Sequence, residues 1–171
     1  AFSLSPAQAA VFAHEGEPTC MQGFFQAIVS QYATHEAAVE TFKTGKGRPW
    51  GDHDRCCFSG TDRFFRPGYE ANLLDAWIPA LEGVDDKLSA GAKVADIACG
   101  HGSSTIMMAQ KYPGSTFHGF DFHGPSIEEA NQKAKSAGLS NVEFHVSYVR
   151  KAMGSTFGSQ WAVCSSAAKG R

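Results

Sequence analysis

A glycine-rich turn between a strand and a helix constrains the fold of this chain more than any other feature. The apolar run Val94–Ala98 leads into Cys99–Gly102, and residues suited to a helix follow as far as Tyr112. Thr116–Phe120 is a second apolar run, and it closes on Asp121. Because glycine has no Cβ, such a turn lets the backbone approach a ligand closely. The pattern predicts a ligand site at the carboxyl end of a parallel sheet.

The residues after Asp121 continue the same alternation. Pro125–Ala137 is suited to a helix, with Gly138 in the position of a C-cap, and Asn141–Val146 reads as a third strand. Strands that alternate with helices at this spacing require right-handed crossovers, so the sheet is predicted to be parallel. The fold class is therefore α/β and Rossmann-like.

The first ninety residues have a helical pattern instead. Ser5–Gln8 predicts a capped helix start, and apolar residues recur at helical spacing over Met21–Phe42. Further on, an apolar residue recurs at every fourth position from Tyr69 to Leu81, which predicts one apolar helix face. That helix is predicted to kink or end near Pro79. We therefore divide the chain into a helical lid or dimerisation segment (1–90), an α/β core of three strands (91–146) and an atypical tail (147–171).

Asp121 indicates what kind of ligand the turn holds. It lies 19 residues after Gly102, where a carboxylate accepts hydrogen bonds from the hydroxyls of a ribose. A dinucleotide fingerprint requires a third glycine where this chain has Thr105, and Asp96 precedes the turn. An acidic residue there fits a ligand with an ammonium group better than a pyrophosphate. A nucleoside ligand is expected, and an NAD-dependent oxidoreductase is the disfavoured alternative.

Composition excludes several other classes. The chain has 171 residues, of which 43% are hydrophobic, and a formal net charge of −2, with no basic stripe for nucleic acid. No apolar run is long enough to span a bilayer. Five cysteines do not form the even-numbered framework of a secreted disulfide domain, so a cytoplasmic location is expected. His53, Cys56 and Cys57 lack the paired spacing of a zinc site, and no metal is predicted.

The stretches VADIACGHGSS and GFDFHGPSI resemble the first two signature motifs of class I S-adenosylmethionine-dependent methyltransferases. The upstream stretches SPAQAAVFA and GTDRFFRPGYEANLLDAWIPALEGV, with NVEFHV further on, are similar to a bacterial group of these enzymes. Members of that group carry an N-terminal winged-helix, regulator-like module. The resemblance covers about residues 1–146 and implies transfer of a methyl group from S-adenosyl-L-methionine to a small-molecule acceptor.

The resemblance also implies a role for each residue of the motifs. Asp96 would help to hold the methionine ammonium group, directly or through water, and Asp121 would bind the ribose hydroxyls. Phe122 would lie against the adenine. The backbone that lines the methionine and ribose would come from Ala98, Cys99, Gly100, His101 and Gly102. His101 and His123 are candidate bases near this site, but no catalytic residue is assigned.

The chain departs from the family pattern after Val146. Ser147–Lys151 replace the small and acidic residues usual there, and Trp161–Cys164 is only a candidate fourth strand. The chain is thus expected to be an incomplete or altered piece of a methyltransferase, with an open apolar edge beside its first strand that favours a homodimer. A non-catalytic, nucleoside-sensing regulator is the second alternative function.

Overall fold

The computed structural model describes residues 2–148 and, for the backbone, residues 161–165. The chain forms two compact units, and the boundary between them falls between Gly68 and Tyr69. Residues 69–90, which the sequence analysis assigns to the helical segment, cluster with the second unit. No helix in the described ranges has both the length and the apolar character to cross a membrane.

The first unit is built of helices. Its elements are α1 (Pro6–Phe12), α2 (Gln22–Ala33), α3 (His35–Thr44), a 3-10 turn (Trp50–Asp52) and most of α4 (Arg55–Asn72). The predicted cap of α1 is confirmed, since Ser5 and Gln8 each accept a hydrogen bond from the other's backbone amide. The periodic segment from Met21 is two helices rather than one, and the break falls at Thr34, whose backbone angles (φ −124°, ψ +21°) leave the helical region between α2 and α3.

Helices α2 and α4 cross with their backbones in contact. A Cβ added to Gly60 would lie 2.5 Å from the backbone nitrogen of Ala27, and one added to Gly23 would lie 2.4 Å from that of Phe64. Real Cβ atoms do not approach backbone so closely. Both glycines are therefore required for this crossing.

The second unit contains a parallel four-stranded sheet in the order β3-β2-β1-β4. Its elements are a π-helical turn (Leu73–Trp77), α5 (Val84–Ala90), β1 (Lys93–Ile97), α6 (Ser103–Lys111), β2 (Thr116–Asp121), α7 (Gly124–Ser136), β3 (Val142–Val146) and β4 (Trp161–Ser165). The predicted parallel α/β sheet and its three strands are confirmed. The helix predicted to kink or end near Pro79 changes its hydrogen-bonding pattern earlier, at Leu73, where the π-helical turn begins.

Strand β4 corrects one expectation from the sequence. Cys164 and Ser165 lie beside Asp96 and Ile97, so β1 is paired on both sides. The predicted open edge beside β1 is therefore wrong, and the candidate strand at Trp161 is confirmed.

The core of this unit lies between the sheet and its helices. Phe117 of β2 is fully buried, and Phe144 of β3 packs in the same cluster as Ile127 and Ala130 of α7. Phe120 of β2 faces the other way, with a smaller cluster from β1. The strands alternate between these two faces, and their carboxyl ends carry the glycine-rich turn.

Candidate functional site

The turn after β1 has a left-handed backbone at alternate residues. The φ angles are +60° at Ala98, +54° at Gly100 and +73° at Gly102. A non-glycine residue in this region costs about 1–3 kcal/mol, so the surrounding structure must hold it. The amides of Ala98 and Cys99 both donate to the carbonyl of Phe120, at 2.7 and 3.2 Å. The turn is thereby fastened to the end of β2.

The two glycines of the turn have different surroundings. A Cβ on Gly102 would lie 2.5 Å from the Phe144 ring and 3.0 Å from the Ala130 methyl, so Gly102 lets α6 begin against the core. A Cβ on Gly100 would have no atom within 4 Å. Open space therefore lies beside Gly100, on the side of the turn where a ligand can approach.

Asp121 joins the turn to the loop that follows β2. Its Oδ2 accepts a hydrogen bond from the Gly100 amide at 3.0 Å, and its Oδ1 accepts one from the His123 amide at 2.9 Å. The residue is 8% exposed. A carboxylate has about four lone-pair positions, so both oxygens retain capacity for ligand hydroxyls. The structure thus brings the predicted ribose-binding residue into contact with the predicted turn.

Asp96 lies beneath the turn and is fully buried. Its Oδ2 accepts hydrogen bonds from the hydroxyls of Thr105, at 2.6 Å, and Ser104, at 3.3 Å. Asp96 therefore fastens the first turn of α6 to β1. Its role toward an ammonium group stays a prediction. The hydrogen bond from Thr105 to Asp96 was not predicted from the sequence. An acidic strand residue followed by hydroxyl residues at the start of the next helix is a signal for such a bond.

Cys99 and His101 complete the turn with buried side chains. Burial, together with nearby Asp96 and Asp121, raises the pKa of the Cys99 thiol, which disfavours a reactive thiolate. The Nδ1 atom of His101 lies 3.6 Å from Glu129 Oε1 on α7. The other candidate base, His123, has its Nδ1 atom 2.7 Å from Ser126 Oγ. Both histidines thus lie beside α7 near the site, and His123 is hydrogen-bonded to it.

Phe122 projects from the end of β2 and is 40% exposed. Its ring is nearly parallel to that of Tyr148, with an interplanar angle of 15° and 5.8 Å between centroids. Tyr148 was not predicted as a site residue, because the sequence comparison noted only that this segment departs from the usual pattern. A partly exposed aromatic ring at a strand end offers a surface on which a planar base can stack.

The glycine-rich turn, Asp121 and strands β1 to β3 all lie within residues 88–160, which match the family of methyltransferase domains. This part of the chain is a methyltransferase domain. The expected family and fold class are therefore confirmed for the α/β unit. The N-terminal winged-helix module, which the resemblance attributes to the wider bacterial group, is not tested by this match.

The chain is also similar to individual proteins over part of its length. Pavine N-methyltransferase from Thalictrum flavum subsp. glaucum is 33% identical over 93 residues, 51% of this chain and 26% of that protein. An uncharacterized protein of Rickettsia prowazekii is 32% identical over 68 residues, 40% of this chain and 12% of that protein. The chain thus matches only a minor part of the length of these curated relatives.

A solved structure shows the fold over a longer range. An O-methyltransferase family protein from Burkholderia thailandensis superposes with a TM-score of 0.56 at 17% identity, covering 80% of this chain and 42% of that one. At this identity the likeness concerns the fold alone. The likeness therefore agrees with the Rossmann-like fold described above, in which the glycine-rich turn follows the first strand.

Proposed function

We propose that the methyltransferase domain binds S-adenosyl-L-methionine and transfers its methyl group to a small-molecule acceptor. The observation that carries this proposal is the hydrogen bond between Gly100 and Asp121, which unites the turn and the carboxylate in one site. The cofactor supplies an electrophilic methyl group on a sulfonium centre. The protein's task is to bind, orient and keep water away from that group.

The residues present fit this cofactor. Open space beside Gly100 admits the ligand to the backbone of Ala98–Gly102, which would line its methionine and ribose portion. Asp121 would accept the ribose hydroxyls with the oxygens that already receive the Gly100 and His123 amides. Phe122, with Tyr148 facing it, would bind the adenine ring.

Asp96 would act at one remove from the cofactor. Since its Oδ2 is hydrogen-bonded to Thr105 and Ser104, it fixes the start of α6 and so the position of the turn. Its negative charge beneath the turn would favour a bound ammonium group, directly or through a water molecule.

The acceptor class is inferred from the relatives. The similarity to pavine N-methyltransferase supports a small-molecule acceptor rather than a nucleic acid. A cytoplasmic location and a homodimer remain predictions, as does the absence of a nucleic-acid partner. His101 and His123 remain candidate bases beside the site, and no residue is assigned as one.

The test is calorimetric titration of the chain with S-adenosylhomocysteine, S-adenosylmethionine and NAD⁺. We expect binding of the first two only, and a loss of affinity of about 10–100-fold in Asp121→Asn, since hydrogen bonds to a charged group contribute about 1.5–3 kcal/mol. Asp86→Asn is the matched control, because it removes the same charge from an exposed position on α5. It should bind like the unchanged chain.

The same titration separates the alternatives. Binding of NAD⁺ alone would replace the proposal with an oxidoreductase. Binding of S-adenosylhomocysteine, without methyl transfer to any of a panel of amine and phenol acceptors, would favour a nucleoside-sensing regulator. Equal affinities of the Asp121→Asn and Asp86→Asn variants would contradict the assigned ribose contact.

A further inference from the structure

Two histidines and a glutamate lie together on the sheet face opposite the Phe117 core. His118 of β2 is in register with Glu143 of β3, and His145 is two residues further along β3 on the same face. Their ligand atoms all lie within 4.8 Å of one another. Within the described part of the chain, this is the one group of three or more such side chains close enough to share a metal ion.

One of the three distances within this His–Glu cluster matches the edge of a small coordination sphere. His118 Nδ1 lies 3.2 Å from His145 Nε2. Two nitrogens bound to a tetrahedral zinc ion at about 2.0–2.1 Å are separated by about 3.3 Å. Glu143 Oε2 lies 3.9 Å from the His118 nitrogen and 3.7 Å from that of His145. An exposed glutamate side chain can close these gaps by a small rotation.

The surroundings hold the two imidazoles in place. The Phe120 ring stacks beside His118, with centroids 6.4 Å apart, and beside His145, at 5.1 Å. The imidazole rings themselves are nearly parallel, at 17°. Both side chains are partly buried, so the two imidazoles have limited freedom to turn away from each other.

We propose that His118, Glu143 and His145 form a binding site for a divalent transition-metal ion, with Zn²⁺ as the best fit. Two imidazole nitrogens and one carboxylate oxygen are a donor set that zinc accepts, and three protein ligands leave one position for water. The site connects β2 to β3 on the face away from α7, and methyl transfer as proposed above does not use it. No metal was predicted from the sequence, since the only candidate weighed there was the His53–Cys57 stretch. The three residues of this cluster share no sequence motif and meet only through strand register.

The experiment is calorimetric titration of the metal-free full chain with Zn²⁺, followed by Co²⁺ as a spectroscopic probe. We expect the double variant His118→Gln/His145→Gln to bind one Zn²⁺ ion fewer than the parent. The visible spectrum of bound Co²⁺ should lose the bands that depend on the imidazole ligands. Even changes outside the ligand set weaken metal sites about 10–100-fold, so removal of two ligands should exceed that range. His14→Gln, at an exposed position in the first unit, is the matched control and should bind like the parent.

Glu143→Gln is a second variant, chosen because it should fold like the parent: the Glu143 side chain is 68% exposed. We expect it to weaken Zn²⁺ binding by more than about 10-fold with an unchanged melting temperature in the absence of metal. Zinc held by thiols elsewhere would persist in all variants and is thereby distinguished. Unchanged stoichiometry and affinity in both Glu143→Gln and the double histidine variant would overturn the proposal.

Discussion

The two units of this chain bury their apolar residues to very different extents. In the α/β unit, Phe117 is fully buried and Phe144 is 6% exposed. In the helical unit, Phe25 is 47% exposed and Phe42 is 90% exposed. A sheet covered by α6 and α7 encloses aromatic side chains, whereas helices that cross at glycines bring backbone together and enclose few side chains. The α/β unit therefore derives its stability from side-chain packing, and the helical unit depends strongly on its glycine crossing.

The largest expected effect sharpens this comparison at the turn. Gly102→Ala places a methyl group against the Phe144 ring and forces an alanine to φ +73°. Overpacking and the left-handed backbone together should lower the free energy of unfolding by about 3–4 kcal/mol. Urea unfolding measures this change, and S-adenosylhomocysteine affinity should fall with it. Gly47→Ala, where the added Cβ has no neighbour within 4 Å, should leave both almost unchanged.

The next prediction tests the helical unit. Gly60→Ala drives a methyl group into the backbone of Ala27, which should destabilise this unit by about 2–3 kcal/mol. Hydrogen exchange should show faster exchange in α2 and α4. Gly68→Ala lies in the same helix with open space around it and should instead gain about 0.5–1 kcal/mol from helix propensity. Similar exchange rates in the two variants would contradict the close crossing.

A smaller effect is expected from the link beneath the turn. Thr105→Val keeps the side-chain shape but removes the hydroxyl that donates to the buried Asp96 carboxylate. We expect a loss of about 2 kcal/mol, because a hydrogen bond to a buried charge is removed. Thr41→Val is the control, since the Thr41 hydroxyl lies in an exposed helix and donates only to the Ala37 carbonyl. Thermal unfolding of both variants measures this difference in stability. Equal losses in Thr105→Val and Thr41→Val would contradict a stabilising hydrogen bond between Thr105 and Asp96.

The smallest predicted effect concerns Tyr112, whose hydroxyl donates to Asp85 Oδ1 at 2.6 Å. Tyr112→Phe should cost about 1 kcal/mol, and Tyr32→Phe, at an exposed position on α2, should cost almost nothing.

Burial and Asp85 raise the pKa of Tyr112 to about 12, above the value of about 10 expected in the unfolded chain. The folded state then binds the proton more tightly, so stability present below pH 10 declines as the pH rises toward 12. That decline should be smaller in Tyr112→Phe. A pH dependence equal to that of the parent would remove Tyr112 as its cause.

The α/β site was largely predictable because its information is local. Helix α6 and strand β2 lie between the glycine-rich turn and Asp121, and the parallel pairing of β1 with β2 brings Gly100 and Asp121 together. The contacts of Thr105 with Asp96, and of Tyr148 with Phe122, depend on side-chain directions that periodicity does not specify. The π-helical turn at Leu73 was missed for the same reason, since the apolar spacing there fits an ordinary helix.

The helical unit shows where sequence reasoning stops. Apolar spacing predicted helices, but the break between α2 and α3 at Thr34 leaves no mark in that spacing. The meeting of Gly23 and Gly60 with backbone of the opposite helix has no periodic signature at all. Long-range pairing of residues also explains why β4 was only a candidate strand from the sequence and why the His118 cluster was not foreseen.

Amide chemical shifts test the central claim most directly, because Gly100 and His123 both donate to the carboxylate assigned to the ribose. We predict that S-adenosylhomocysteine shifts the amide resonances of Ala98–Gly102 and His123, while those of Gly45 and Gly60 stay in place and NAD⁺ has no effect. Shifts confined to other parts of the chain, or produced by NAD⁺ alone, would contradict the account.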